Sequence, residues 1–247
     1  MKKIILIAVA LIASLSSQAA DSRLFELRTY YANDGKLDAL HSRFRDHTLK
    51  IFEKHGMTNL GYFVPDENEG NTLTYVLAYA DMDARKQAWK GFLGDPDWKA
   101  AYKASTAKGK LVKKIDRVFM KATDYSPAIA AKSAKKTRAF QLRTYLCNEG
   151  KLEGLHARFR DHTVGLFEKH GIENVAYFTP TDKKNGADNT LIYFIAGKSP
   201  EAIKGSFRKF GKDPAWQQAK KASEVNGRLT KKVVGVFMSP TDYSPTR

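Results

Sequence analysis

Two arginine–tyrosine pairs and six histidines are the residues on which any chemistry of this chain must rest. Arg28 and Tyr30 stand two apart in Phe25-Glu26-Leu27-Arg28-Thr29-Tyr30, and Arg143 and Tyr145 stand the same way in Phe140-Gln141-Leu142-Arg143-Thr144-Tyr145. A guanidinium beside a phenol, both taken out of water, suits a carboxylate, a phosphate or another anion, because a buried arginine needs an anionic partner or dense hydrogen bonding. Glu26 shares the alternating face of Arg28 and can satisfy it, whereas Gln141 cannot neutralise Arg143. One arginine is therefore expected to keep an uncompensated charge. The alternative is a structural arginine whose head reaches solvent.

The histidines come as His41, His47 and His55, then His156, His162 and His170. On a helix His47 lies about 120° around from His41, while His55 returns within about 40° of it. No single helix presents all three to one metal, and the i, i+4 pair of a helical zinc site is missing, so no metal site is expected. His55 and His170 directly precede a glycine, where a polar side chain suits a helix end. His47 and His162 follow Phe44 and Phe159 by three residues and read as histidines on or beside the buried stripe. His41 and His156 border that stripe and reach a pocket margin. The ligand-binding set expected from the sequence is Arg28, Tyr30, Arg143, Tyr145, His41, His47, His156 and His162. No nucleophilic Ser or Cys recurs near a recurring His and acid, and no phosphate-cradling Gly-rich loop is present, so no catalytic residue is assigned.

These residues come in pairs because the chain states itself twice. Residues 25–63 return as 140–178, an offset of 115 (140 − 25); Arg43 to Thr48 return unchanged as Arg158 to Thr163, and Thr123-Asp124-Tyr125-Ser126-Pro127 as 241–245. A solenoid repeats every 20–50 residues or so, and this period is far longer. It marks a duplicated small domain.

Each copy reads as strand, helix, strand, strand, helices, strand. Leu24 to Tyr31 alternates with period two, which predicts a strand with apolar contacts on one face. Leu37, Leu40, Phe44, Thr48, Ile51 and Phe52 form a helical stripe that stops at Gly56. Strands are expected over 59–64, 73–80 and 114–121, with a hairpin loop at 65–71; in the second copy this loop gains three residues within 181–188, as the offset grows to 118. A helix is expected over 82–93, and Asp95-Pro96 and Asp213-Pro214 supply an N-cap and first-turn proline for another.

This order is the split βαβ arrangement called ferredoxin-like, an α+β fold. Four antiparallel strands with helices on one face leave the other face open, and two such sheets bury those faces against each other. The chain is thus expected to form two tandem ferredoxin-like domains packed sheet to sheet as an intramolecular α/β barrel, a pseudo-dimer within one chain. If Phe25 and Leu27 face the helices, Arg28 and Tyr30 point into the barrel interior.

Met1-Lys2-Lys3, an apolar run from Ile4 to Leu15 and a small-residue end at Ala19-Ala20 read as a secretory signal, with export to the periplasm or beyond. The expected boundaries are a signal peptide at 1–19, a first domain at 21–127, a linker at 128–138 and a second domain at 139–247. The formal charge of +16 becomes +14 after cleavage removes Lys2 and Lys3, and favours encounter with anionic envelope surfaces. One cysteine, Cys147, aligns with Ala32 in the first copy, so no internal disulfide is available and the thiol reads as incidental.

The order Leu-Arg-x-Tyr, Gly-Lys-Leu, Lys-His-Gly, Tyr-Phe and Asp-Pro-x-Trp resembles the NIPSNAP domain. It stands at 27–30, 35–37, 54–56, 62–63 and 95–98, and again at 142–145, 150–152, 169–171, 177–178 and 213–216. The resemblance implies the dimeric α/β barrel superfamily. It implies little about activity, since function resides in sites rather than folds. Three readings follow: a binder of a small, anionic ligand in the barrel interior; a non-catalytic basic scaffold docking on anionic envelope surfaces; and, by superfamily analogy, a haem-binding protein or cofactor-free monooxygenase. No cofactor is predicted; haem is the one the analogy admits, with His41 or His47 as axial ligand. No specific nucleic acid is expected, and the sequence leaves further homo-oligomerisation open.

Overall fold

The period-two alternation of residues 24–31 gives strand β1 (Leu24–Ala32). The computed structural model describes residues 21–133 and 138–247, so the expected signal peptide and residues 134–137 of the expected linker lie outside the described residues. A turn through Gly35, at φ 68°, leads into a continuous helical rod: α1 (Leu37–Arg43), a π-helical turn (Phe44–Thr48) and α2 (Leu49–Lys54). Strands β2 (Thr58–Pro65) and β3 (Thr72–Tyr79) form the hairpin. Helices α3 (Met82–Gly94) and α4 (Pro96–Thr106) meet at Asp95, whose carboxylate accepts the backbone N–H groups of Asp97 and Trp98. Strand β4 (Val112–Ala122) closes the repeat.

The second copy follows suit with β5 (Ala139–Cys147), α5 (Leu152–Arg158), a π-helical turn (Phe159–Thr163), α6 (Val164–Lys169), β6 (Glu173–Pro180), β7 (Thr190–Gly197), α7 (Pro200–Lys212), α8 (Pro214–Ser223) and β8 (Thr230–Pro240). Its longer hairpin holds a short 3-10 turn, Lys183–Asn185.

The π-helical turns have a cause in the sequence. Leu40, Phe44, Thr48 and Phe52 are spaced by four and all are buried, yet in an α-helix each four-residue step drifts about 40° around the axis. A wider turn absorbs that drift, with the Leu49 N–H donating to the Phe44 carbonyl five residues back. The same turn corrects the expectation for His47 and His162. Uniform 100° steps put them beside the buried stripe, whereas the widened turn leaves both exposed.

Two four-stranded antiparallel sheets, β4-β1-β3-β2 and β6-β7-β5-β8, join through β2–β8 and β4–β6 into one closed eight-stranded barrel. Its interior is apolar and drawn from both repeats, with Phe25 5.0 Å from Phe178 and Phe63 5.0 Å from Phe140. What remains between Leu60, Phe63, Val76, Val175 and Phe194 is a cavity of about 40 Å³. That is room for about one water, in a lining with few polar partners for it.

This packing inverts the expected orientation of β1. Phe25 and Leu27 face the barrel, and Glu26, Arg28 and Tyr30 face the helices. The strand is also buried on both faces, not one. Alternation tells which residues share a face, but with both faces covered it cannot tell which face meets the helices.

The repeated Thr-Asp-Tyr-Ser segments are reciprocal clasps between the repeats. Thr241 N–H donates to the Tyr62 carbonyl (2.9 Å), and Ser244 Oγ accepts the Tyr62 N–H (2.9 Å). Asp242 receives Arg45 through two bonds of 2.7 and 2.8 Å, and Tyr243 OH lies 2.7 Å from His41 Nδ1. Thr123, Asp124, Tyr125 and Ser126 make the same four contacts with Tyr177, Arg160 and His156 of the second repeat. Each segment satisfies backbone that its partner strand would otherwise leave bare.

Candidate functional site

Between the first repeat's sheet and its helices lies a cavity of about 460 Å³. β1 supplies Arg28 and Tyr30, the helical rod Arg43, Phe44 and Thr48, α3 Trp89, Phe92 and Leu93, α4 Trp98 and Tyr102, and β4 residues 112–115. The π-helical turn begins directly after Arg43, and Thr48 Oγ donates to the Arg43 carbonyl at 3.1 Å. The arginine is thereby held at a widened turn with its side chain under α4.

Arg28 is fully answered there. It donates through Nη1 to Glu26, through Nε to Tyr75 OH at 2.9 Å and through Nη2 to Tyr30 OH at 3.2 Å, and it lies 4.4 Å from the Trp89 ring. Glu26 is 0% exposed and also accepts Arg85 at 3.1 and 3.2 Å and Tyr79 OH at 3.0 Å. Burial would raise its carboxyl, but the Arg85 hydrogen bond and the charges of Arg28 and Arg85 outweigh that and hold it below the usual carboxylate range.

Arg43 is not answered. It is 5% exposed, and among the described residues its guanidinium makes one hydrogen bond, from Nη1 to Ser105 Oγ at 3.3 Å; Nε has no partner. No carboxylate pairs with it among the described residues. Its charge is met instead by ring faces, Trp98 at 5.2 Å and Tyr102 at 5.5 Å. Burial holds its pKa below the ordinary arginine value, yet a guanidinium stays protonated at neutral pH. A buried cation without a counter-ion is a costly arrangement that a ligand anion would relieve.

The second repeat settles its charges the other way round. Arg158, the counterpart of Arg43, pairs with Glu224 at 3.1 Å; the residue aligned with Glu224 is Thr106 (224 − 118). Arg143, the counterpart of Arg28, has no carboxylate among the described residues. It donates to Gln141 Oε1 (2.8 Å), Tyr193 OH (2.9 Å) and Tyr145 OH (3.1 Å), and lies 4.6 Å from the Phe207 ring. The expectation that Arg143 keeps an uncompensated charge agrees with this geometry, but its place is under α7 rather than in the barrel.

The structure thus brings Arg28 and Tyr30 to one cavity and Arg143 and Tyr145 to the equivalent layer of the other half. It does not join the halves' residues in a shared chamber. His41 and His156 belong to the clasps, and burial pushes both below the ordinary histidine value. His55 and His170 end their helices as expected, each with Nε2 on the carboxylate that caps the next helix, Asp95 at 2.8 Å and Asp213 at 2.7 Å. A haem in the barrel does not fit these residues: the interior cavity is about 40 Å³, and neither His41 nor His47 points into it. The 460 Å³ cavity has no His or Cys in its lining, and no cluster of three metal-ligating side chains occurs among the described residues. Arg43, Trp98 and Tyr102 are the residues that sequence reasoning missed. Their signal was present, in an arginine repeated unchanged while the acidic residue Glu224 of the second copy aligns with Thr106 in the first.

Comparison with known proteins agrees with this architecture. No curated protein sequence matches the chain. An anthrone oxidase-like protein has a similar fold, with a TM-score of 0.59 at 12% identity over 92% of this chain and 95% of that one. A protein named "putative monooxygenase" from Lactobacillus acidophilus gives a TM-score of 0.55 at 11% identity, over 89% and 94%. A NIPSNAP family protein from Agrobacterium tumefaciens is 23% identical over 42% of this chain and 92% of its own, with a TM-score of 0.38. The NIPSNAP family model matches residues 25–127 and again 140–245. With both repeats matched over most of its length, the chain belongs to the NIPSNAP family.

Proposed function

We propose that this protein binds a small anion with a planar, apolar body in the first repeat, between sheet and helices, with Arg43 as the charge anchor. The observation that carries the reading is the difference between repeats: Arg158 pairs with Glu224, whereas the aligned position in the first repeat is Thr106 and Arg43 lines a cavity. A volume of about 460 Å³ lies within the ordinary range of small-molecule sites, roughly 300–1,000 Å³. Trp98, Tyr102 and Phe44 offer ring faces to an aromatic body. The ligand site proposed from sequence accordingly moves from the barrel interior to the helix side of one sheet. The reading retains export to the periplasm, on the pattern of residues 1–19. The names of two structural neighbours would add oxidation of the ligand; the lining assigns no residue to such a step, and the reading stops at binding.

The test is a titration with anilinonaphthalene sulfonate, an aromatic anion whose fluorescence reports burial. Thr106→Glu copies into the first repeat the carboxylate that neutralises Arg158. It should weaken binding by about tenfold or more, equivalent to about 1.4 kcal/mol, with the fold intact by circular dichroism. Unchanged affinity in Thr106→Glu would remove Arg43 as the anchor.

A further inference from the structure

The mouth of the Arg43 cavity gathers exposed apolar side chains from three elements. Leu93 is 57% exposed, Tyr102 46% and Ile115 44%, and all three line this one opening from α3, α4 and β4. Lys113 and Lys114 line it with them, and Lys99 and Lys103 are exposed on α4 beside Tyr102. Residues 82–122 hold 11 Lys and Arg against 4 Asp, a net charge of +7 (11 − 4). The aligned residues of the second repeat are Gly211 for Leu93, Lys220 for Tyr102 and Val233 for Ile115. That copy keeps the positive charge and loses most of the apolar rim.

Leucine and isoleucine with a tyrosine whose hydroxyl can stay wet, ringed by lysines with long apolar stems, suit the headgroup boundary of a bilayer. A soluble partner with an acidic groove would meet the lysines but has no need of three separate apolar tips on a rim. We propose that this rim docks on an anionic phospholipid surface, Leu93, Tyr102 and Ile115 entering the headgroup boundary while the lysines meet the phosphates. The cavity would then open toward the membrane. Docking does not depend on what Arg43 binds, so the two readings fail separately.

The experiment is co-sedimentation with vesicles of phosphatidylcholine alone and of phosphatidylcholine mixed with phosphatidylglycerol. The protein should bind the mixed vesicles, bind phosphatidylcholine weakly, and release as salt rises. Leu93→Ser/Tyr102→Ser/Ile115→Ser should lower partitioning into the mixed vesicles by about tenfold, or about 1.4 kcal/mol. A control change of the exposed apolar residues of the second repeat, Val225→Ser/Val233→Ser/Val234→Ser, should leave it unaltered, and so should Thr106→Glu. Lys113→Glu/Lys114→Glu gives an independent arm if the triple variant unfolds, and should also lower partitioning. Three results would overturn the proposal: no preference for phosphatidylglycerol, equal loss in both serine triples, or a dimer in light scattering that the first triple converts to monomer. Loss of vesicle binding to inorganic phosphate at matched ionic strength would also overturn it, since a free anion would then be the partner.

Discussion

Replacing Glu26 by Gln removes the one buried carboxylate from a cluster of two arginines, three tyrosine hydroxyls and a tryptophan. The carboxylate accepts Arg28, Arg85 and Tyr79 and is 0% exposed. A glutamine keeps the shape and one carbonyl oxygen, as Gln141 does for Arg143 at 2.8 Å, but leaves two guanidinium groups facing each other without a counter-ion. Breaking a buried pair in this way costs about 3–5 kcal/mol. For a chain of this size each kcal/mol moves the thermal midpoint by about 2–4 °C, so a drop on the order of 10 °C is expected. Adding Arg85→Ile reproduces the second repeat, where Ile203 aligns with Arg85 (203 − 118 = 85) and Gln141 with Glu26. The double variant should regain about 1–3 kcal/mol relative to Glu26→Gln, a coupling of the size seen for residues in one network. Urea unfolding followed by tryptophan fluorescence reads both values, with Trp89 at 4.4 Å from Arg28 as the local reporter. The sign with pH follows from the depressed carboxyl of Glu26. Its stabilisation is present above the unfolded-state value and is lost as pH falls through the folded one, so Glu26→Gln should flatten the acid limb. A Glu26→Gln cost below about 1 kcal/mol, or a double variant worse than the single, would refute this account of the cluster.

The clasps give two further expectations. Burial holds His41 and His156 below the ordinary histidine value, so their contribution is present above about pH 6.5 and lost as pH falls through the folded values. His41→Gln/His156→Gln should therefore lose less stability than the parent between about pH 7 and 5, read as thermal midpoints across a pH series. Ser126→Ala/Ser244→Ala leaves the backbone N–H groups of Tyr177 and Tyr62 without their acceptors. That should cost about 1–3 kcal/mol per site by urea titration.

Much of this architecture is legible in the residues. The alternation of β1, the stripe from Leu40 to Phe52, the Asp-Pro caps and the longer second hairpin each carry a local physical cause, and the elements lie where those causes place them. The direction in which β1 faces was not legible from β1 itself, because Phe25 and Arg28 are both buried. It was legible from the repeats compared position by position. Glu26 becomes Gln141 where Arg85 becomes Ile203 and Trp89 becomes Phe207, a joint change that makes sense only if β1 presents Glu26 to α3. The exposure of His47 escaped because a uniform helical pitch was assumed across Phe44–Thr48. The clasps escaped because Thr-Asp-Tyr-Ser reads locally as a turn, and its partners, Tyr62 and Tyr177, are set by the pairing of two sheets.

A crystal structure of the protein grown with anilinonaphthalene sulfonate tests the central claim most directly. The account expects the sulfonate on the Arg43 guanidinium with the rings against Trp98, and Arg158 still paired with Glu224. Density for the probe on Arg143 or inside the barrel, with the cavity beside Arg43 unoccupied by it, would contradict the account.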